Sequence, residues 1–333
     1  MVQQTHTFDG LGELRDIQPQ LASASAHPVY ADLGSRFEDE DDLADARRLR
    51  HQAIWNTRDD RLAYIGTDEY SITQHNEILD YIQNAIGDTV GEIDIGRIRD
   101  YGERIDGMMT LKGHNVDVGE LVGDGYIPPE SELLDDRTQS VQDAKKSDGT
   151  VRDILGVGIR FSNSFDASER IRLETMGYRF ICQNWLIWGK ETIGTYEQLH
   201  INELDSQNVE ELIFDVLDKQ DEVQSIIKDT ATDSGYPLSW AIPSLKAVGF
   251  GPRQSKQIFE KLRKYGTVDD EFTRWELYNA VTAYLDHDVV EGVNPNVYDR
   301  HQGKAAKLLT GKLESPSDDE LEASREVIDA LNE

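Results

Sequence analysis

Apolar and polar positions alternate through the middle of the chain. The segment EIDIGRIRDYGERIDGMMTLKGHNVDV, residues 92–118, follows this period of two and is punctuated by glycines. That pattern predicts two or three half-buried strands. Residues 151–189 predict three more strands, and a loop rich in turn formers at 163–167 joins the first two. An earlier strand is predicted at 61–65.

Helical periodicity dominates the remainder of the chain. A helix is predicted at 74–86, where apolar residues fall on one face. Acids crowd the start of residues 37–55 and bases crowd the end, which favours a helix there. Residues 1–36 lack clear periodicity and are typical of an extended lead-in. After Gly194 the pattern predicts helices throughout, at about 207–230, 240–265, 273–287 and 315–333.

These elements predict an α+β fold, in which a mostly antiparallel sheet is flanked by helices and followed by a helical C-terminal region. Four consecutive divisions are expected. They are an N-terminal extension and helix at 1–58, a sheet-containing core at 59–195 with a surface loop or insertion at 123–150, a helical region completing the core at 196–298, and a C-terminal helical tail at 299–333.

The charge is strongly negative: Lys and Arg number 34 against 64 Asp and Glu, which gives a net charge of −30. Such a chain repels itself in dilute buffer, whereas molar salt shortens the screening length to about 3 Å. The acids are spread over the whole sequence, which favours a halophilic protein from a cytoplasm rich in salt. The alternative is an acidic protein of an ordinary cell, such as a mimic of nucleic acid.

The single cysteine excludes an intramolecular disulfide and fits a reducing compartment. The N-terminus lacks a signal-peptide pattern. No run of about 18 apolar residues is present, so no membrane segment is predicted. We therefore expect a cytoplasmic protein that does not bind membranes.

Three stretches follow one another along the chain. The first is YSITQHNEILDYI at 70–82, which contains Asn76; the second, at 163–186, contains an N-S-F-D loop and an R-x-x-C-x-N strand; and the third, WELYNAVTAYLDH at 275–287, contains an N-A-V-T helix that ends in histidine. They resemble the family called domain of unknown function 932, a group of phage/plasmid-like proteins, over about residues 60–290. The resemblance implies a mobile genetic element but no established activity. The matching positions are Asn163, Ser164, Asp166, Arg179, Cys182, Asn184, Asn279, Thr282 and His287.

Two departures weaken a catalytic interpretation of the loop. Phe165 stands where the family usually has histidine, and Ala167 where it usually has glycine, so no catalytic histidine is carried over. The loop residues either hold a ligand or cation, or stabilise a tight hairpin through their own backbone; the second interpretation is favoured. No catalytic residue is assigned.

Candidate chemistry elsewhere is sparse. Cys182 has no cysteine partner and the eight histidines are scattered, so neither a metal site nor a cofactor is predicted. A buried thiol is favoured over a nucleophile, because the neighbouring residues are apolar. His287 lies between two aspartates, but adjacent helical residues diverge by about 100°, which favours a structural contact over an acid/base pair.

Positive charge is concentrated in LKAVGFGPRQSKQIFEKLRKYGTVDD, where residues 246–264 carry six bases and one acid. The V-G-F-G-P-R core looks like the hairpin of a helix-hairpin-helix element, in which backbone N–H groups approach a phosphate and nearby bases add charge. The alternative is a helix end, a Gly-Phe-Gly turn and a solvated basic face. The predicted nucleic-acid-binding residues are Lys246, Gly249, Gly251, Arg253, Lys256, Lys261, Arg263 and Lys264.

The sequence therefore favours a non-enzymatic protein of a mobile element that handles DNA. One alternative is an enzyme acting on nucleotides or nucleic acid, with Asn163, Asp166 and Asn184 near the reaction, although a G-x-x-x-x-G-K-[ST] phosphate loop is missing. Another is a viral structural or assembly protein. The candidate partners are DNA and, through the terminal segments, a second copy of the chain or another protein.

Overall fold

The structure is a computed structural model that describes residues 4–30, 48–89, 91–123, 152–179, 184–187, 195–200, 206–233, 235–265, 270–289 and 295–332. The fold is α+β, with a mainly antiparallel sheet, flanking helices and further helices towards the C-terminus, as predicted. The strands are β1 (Gln4–Phe8), β2 (Ala24–Tyr30), β3 (Arg48–Asn56), β4 (Arg61–Thr67), β5 (Ile93–Asp100), β6 (Arg104–Asp117), β7 (Ile154–Ser164), β8 (Ile171–Arg179), β9 (Asn184–Ile187), β10 (Thr195–Gln198), β11 (Tyr236–Pro237) and β12 (Glu271–Phe272).

The strands form one large sheet and two small ones. The large sheet has the order β1-β5-β6-β7-β8-β10, and β9 also pairs with β8. The first pair is antiparallel, with His6 opposite Ile98. A second, antiparallel sheet has the order β2-β3-β4, and β11 pairs with β12. The strands predicted at 61–65, 92–118 and 151–189 are confirmed where they are described. Those at 92–118 are buried on both faces over most of their length, so the prediction that they are half-buried is wrong.

Helices occur both before and after Gly194, and those after it follow the predicted periodicity. They are α1 (Gly10–Ile17), α2 (His75–Thr89), α3 (Val118–Val122), α4 (Ser206–Asp218), α5 (Gln220–Thr232), α6 (Ala241–Ala247), α7 (Pro252–Tyr265), α8 (Arg274–Tyr284), α9 (Pro295–Ala306) and α10 (Asp318–Asn332). A π-helical turn, Leu285–Val289, extends α8. The helix predicted at 74–86 is α2.

The chain divides into two compact units. Unit 1 comprises residues 1–109, 160–173 and 195–214, and unit 2 comprises residues 110–159, 174–194 and 215–333. The units are interleaved along the sequence, whereas the predicted divisions are consecutive. The predicted insertion at 123–150 lies outside the described residues from position 124 onwards.

The helix predicted at 37–55 is wrong over residues 48–55, which belong to β3. This strand is paired on both sides, and Ile54 is fully buried beside Ala22 and Phe165. Strand pairing and burial outweigh the charge pattern that favoured a helix, because tertiary contacts override weak local propensities. Residues 37–47 lie outside the described residues.

The predicted N-terminal lead-in is also wrong, because residues 4–30 form β1, α1 and β2. Leu11, Leu14 and Ile17 bury one face of α1. Phe8 is buried on β1, where its ring covers Gly96 of β5. Two strands and a short amphipathic helix were missed because each is too short to show a clear period.

Amphipathic patterning explains the orientation of the basic helix in unit 2. Ile258, Phe259 and Leu262 of α7 are completely buried. Their spacing puts the apolar side chains on one face. The basic side chains of the same helix consequently point outwards, which positions the candidate site.

Glycine at position 107 is required by close packing in unit 1. A Cβ atom on Gly107 of β6 would lie 2.0 Å from the ring of Phe161, which is fully buried. We expect Gly107→Ala to lower the free energy of unfolding by about 1–3 kcal/mol, since the ring must move within a packed core. Chemical denaturation in molar KCl measures this change.

Gly87→Ala is the matched control. Gly87 is exposed on α2 and has no atom within 4 Å of its would-be Cβ. Alanine there should raise the free energy of unfolding by about 0.5–1 kcal/mol through helix propensity. Equal effects at both glycines would contradict the packing described here.

Candidate nucleic-acid interface

A tight turn joins α6 to α7. Gly249 has a φ of +104° and follows the end of α6. Its N–H donates to the Lys246 carbonyl at 2.9 Å, and the Phe250 N–H donates to the Leu245 carbonyl at 3.0 Å. These two bonds are a Schellman helix ending, which favours glycine at the left-handed position. Leu245 and Phe250 are both buried and complete the motif.

The glycine N–H groups do not have the role predicted from the sequence. The Gly249 N–H bonds within the turn, and the Gly251 N–H donates to the Gln254 side chain at 3.1 Å. The predicted contact from these glycines to a phosphate is therefore corrected, because both donors are already engaged. These two glycine N–H groups therefore leave the basic side chains as the candidate phosphate contacts of the predicted set.

Most of the predicted basic side chains are at the surface. Lys261 differs, because it is partly buried and donates to Asp288 at 3.1 Å. Within the residues that the structure describes, neither Arg253 nor Lys256 pairs with a carboxylate. The exposed members of the predicted set are Lys246, Arg253, Lys256, Arg263 and Lys264.

Helix α9 adds bases that the sequence analysis missed. The Lys304 ammonium group donates to the Gly249 carbonyl at 2.6 Å and lies 5.4 Å from the centre of the Phe250 ring. His301 of the same helix stacks on Phe250, with its ring centre 5.7 Å from that of Phe250. Helix α9 therefore packs directly on the turn between α6 and α7.

Like charges crowd around Lys304. Partial burial lowers the pKa of Lys304, and the neighbouring cations Arg300 and Lys307 lower it further. Burial also lowers the pKa of His301, with contributions from Lys304 and Arg300. Arg300 and Lys304 are spaced i, i+4 on one face of α9, and Lys307 follows directly after the end of the helix. This spacing would have revealed the three bases in the sequence.

We call this set of bases the basic hairpin surface. It joins two segments of unit 2, the α6–α7 hairpin and the end of α9. Its members are Lys246, Arg253, Lys256, Arg300, Lys304 and Lys307.

A nearby carboxylate meets this surface at one edge. Glu320 accepts hydrogen bonds from the backbone and hydroxyl of Ser317, and these bonds are the main reason that its pKa is lowered. Lys246 contributes to the same shift. Helix α10 thus presents acidic charge close to the hairpin.

No protein-family model, curated protein or solved structure matches this chain. The family resemblance stays a prediction.

The N-S-F-D loop closes through its own side chains. The Ser164 hydroxyl donates to the Glu169 carbonyl at 3.0 Å and accepts from the Glu169 N–H. Asp166 accepts from the Ser168 N–H at 3.0 Å. These are the local bonds by which short polar side chains stabilise turns. They are the bonds expected if these residues stabilise a tight hairpin.

Asn163 holds a buried histidine that the sequence analysis did not single out. Its amide donates to the Thr73 carbonyl at 2.8 Å and to Nδ1 of His75 at 3.0 Å. His75 in turn reaches the Gly102 carbonyl with Nε2 at 3.3 Å. This arrangement fixes the neutral tautomer with the proton on Nε2.

Phe165 explains part of the environment of His75. The two rings stack with centres 3.9 Å apart, and both residues are fully buried. Burial lowers the pKa of His75 to about 3. Phe165, which stands where the family usually has histidine, therefore packs against His75.

The remaining motif residues have structural contacts where they are described. Arg179 pairs with the buried carboxylate of Asp153, and its guanidinium lies 5.5 Å from the centre of the Trp275 ring. Asn279 donates to the Trp275 carbonyl at 2.7 Å, and Thr282 donates to the Asn279 carbonyl at 3.0 Å. These bonds belong to the interior of α8.

Three further predicted positions have little or no described environment. Cys182 lies outside the described residues. Asn184 begins β9 opposite Arg179 in the strand register. His287 is exposed on the π-helical turn after α8.

Among the described residues, no cluster of three potential metal ligands occurs, and no helix is long and apolar enough to cross a bilayer.

The neutral His75 makes stability depend on pH. The folded state keeps this imidazole uncharged, whereas the unfolded chain binds a proton near pH 6.5. Its contribution to stability is therefore complete above that pH and is lost as pH falls. From about pH 7 to about pH 5, His75→Gln should reduce the slope of unfolding free energy against pH by up to about 1.4 kcal/mol per unit.

Denaturation at several pH values in molar KCl measures the two slopes. The histidine His27, which is exposed on β2, provides the control substitution His27→Gln, and this should leave the slope unchanged. Parallel slopes for the parent and His75→Gln would show that His75 titrates as in the unfolded chain.

Proposed function

We propose that this protein binds DNA through the basic hairpin surface. The observation that carries the proposal is the gathering of bases from two separated segments around one turn. Arg253, Lys256, Arg300 and Lys307 have no carboxylate partner in the part of the chain that the structure describes. In a chain of charge −30, acids are abundant enough to pair with these bases, yet here the bases lie beside one another.

Electrostatics supports a polyanion as the ligand. Partial burial lowers the pKa of Lys304, and the neighbouring cations Arg300 and Lys307 lower it further, so the folded protein tolerates repulsion between like charges at this place. A phosphate backbone would remove that repulsion, because each base gains an opposite charge and releases counterions. The same charges would repel a basic partner.

The contact we propose is made by side chains and is small. The N–H groups of Gly249, Phe250 and Gly251 bond within the protein, so lysine and arginine side chains would position the phosphates, without reading bases. Screening in concentrated salt weakens each contact. Binding should therefore weaken as KCl rises, with a slope of log affinity against log salt of about −0.9 for each phosphate contacted.

The setting that we propose is a mobile genetic element in a cell rich in salt, with a non-enzymatic role. The charge of −30 and the family resemblance support it. Asn163 and Asp166, which the enzymatic alternative requires, bond within their own part of the fold. No observation on the described residues favours a reaction at that loop.

Charge reversal on α7 tests the proposal. Arg253→Glu with Lys256→Glu should weaken binding of a fluorescent DNA duplex or single strand by about tenfold or more, because two phosphate contacts become repulsive. Fluorescence anisotropy over a series of KCl concentrations measures the affinity and its salt slope. Both substituted residues are exposed, so the fold should persist.

The matched control changes the same net charge elsewhere. Lys228→Glu with Arg325→Glu replaces two exposed bases on α5 and α10, outside the basic hairpin surface. It should change the affinity by less than about twofold. Equal losses in both double variants would point to net charge alone, and absence of DNA binding by the parent would reject the function.

A further inference from the structure

A titratable side chain lies where the two segments of the basic hairpin surface meet. His301 of α9 is 8% exposed, and its ring stacks on Phe250 of the α6–α7 turn with an angle of 13° between the ring planes. Arg300 precedes it in the sequence, and Lys304 follows one helical turn later. Histidine is the side chain whose charge changes near neutral pH. The charge of this surface can therefore change with pH.

Gln254 of α7 selects the neutral form of His301. The Gly251 N–H donates to Oε1 of Gln254 at 3.1 Å, and this bond fixes which end of the amide points towards α9. The amide nitrogen of Gln254 lies 3.5 Å from Nε2 of His301. Because an amide nitrogen only donates, Nε2 carries no proton. The ring proton is consequently on Nδ1, which is buried and has no hydrogen-bond partner among the described residues.

The charges that act on His301 favour the same neutral state. Burial lowers the pKa of His301 most, and the cations Lys304 and Arg300 on its own helix lower it further. Helix α8, the π-helical turn and β9 also pack on α9. Strand β9 contains no titratable residue, and His287 of the π-helical turn is exposed. The other charged groups of α8 and the π-helical turn bond elsewhere: Arg274 to Asp233, Glu276 to Thr273, Asp286 to Tyr298 and Asp288 to Lys261.

We propose that DNA binding at the basic hairpin surface is accompanied by proton uptake at His301, so that the affinity for DNA rises as the pH falls. This inference rests on the proposed function and adds its regulation. The ring acts on the bound phosphates through its charge, and the contacts themselves are made by the exposed lysine and arginine side chains.

The direction of the effect follows from the neighbours of His301. In the free protein, burial and two cations keep the ring neutral at pH 7. Bound phosphates offset those cations and attract an imidazolium, so the complex binds the proton more tightly than the free protein does. Linkage then makes each effect reciprocal: the proton strengthens DNA binding by as much as DNA strengthens proton binding. The gain in affinity is limited to about tenfold per pH unit for one proton.

Proton uptake requires Gln254 to turn over its amide group. A protonated Nε2 would face the Gln254 amide nitrogen, and two donors cannot bond each other. Rotation of the amide gives its oxygen to His301 and withdraws it from the Gly251 N–H, which then loses its present partner. The Gly251 amide is therefore a reporter of the charge on His301.

Fluorescence anisotropy of the full chain with a labelled DNA duplex or single strand tests the inference at pH 6 and pH 8, in the lowest KCl concentration that keeps the protein folded. The parent should bind about threefold or more tightly at pH 6. In His301→Gln this gain should fall to about twofold or less, because the titrating ring is absent. His27→Gln, which removes an exposed histidine of β2, is the matched control and should keep the gain of the parent.

Gln254→Glu tests the same inference without removing the histidine. Glutamate also accepts the Gly251 N–H at this capping position, so the turn is kept. Its carboxylate should hold His301 protonated before DNA binds, and the gain from pH 8 to pH 6 should again fall to about twofold or less. In the DNA-free parent, the Gly251 amide resonance should shift with the titration of His301, as measured by NMR.

An unchanged pH gain in His301→Gln, or a Gly251 resonance that ignores the titration of His301, would overturn the inference and leave DNA binding standing. If His301→Gln does not fold, an undiminished gain in Gln254→Glu has the same meaning. Absence of DNA binding by the parent at both pH values would instead reject the proposed function, and this inference with it.

Discussion

The hydrogen bond from the Lys304 ammonium group to the Gly249 carbonyl joins two basic segments that are 55 residues apart in the sequence. This bond and the stacking of His301 on Phe250 bring the α6–α7 hairpin and the end of α9 together. The contact is possible because Gly249 ends α6 in a left-handed conformation and leaves its carbonyl exposed to a side chain. The bond also brings Arg300 close to the hairpin.

The charge of the whole chain makes this arrangement informative. Carboxylates outnumber bases by 64 to 34, so a base in this protein usually has an acid within reach. Elsewhere arginines are paired, as Arg179 is with Asp153 and Arg274 is with Asp233. At the hairpin, by contrast, partial burial and two neighbouring cations, Arg300 and Lys307, lower the pKa of Lys304. Repulsion of this kind is tolerated most easily where a ligand of opposite charge relieves it.

The sequence predicted the α+β class and most of the elements, because strands of alternating residues and helices with one apolar face leave regular patterns in the sequence. It failed where the pattern was short or misleading. The charge gradient before Ile54 resembled a helix, although pairing on both edges makes β3 a strand. The hairpin was predicted, but hydrogen bonding inside the turn could not be inferred from its glycines. Lys304 was missed because its role arises from packing between distant segments, and His75 because only burial makes a single histidine informative.

Lysine reactivity tests the central claim most directly. The protein would be treated with an amine-reactive reagent in molar KCl, with and without DNA, and each labelled lysine quantified by mass spectrometry. DNA should protect Lys246, Lys256 and Lys307, while Lys228, exposed on α5, should react at the same rate in both samples. Equal labelling of the hairpin lysines with and without DNA, or equal protection of Lys228, would contradict the assignment of this surface.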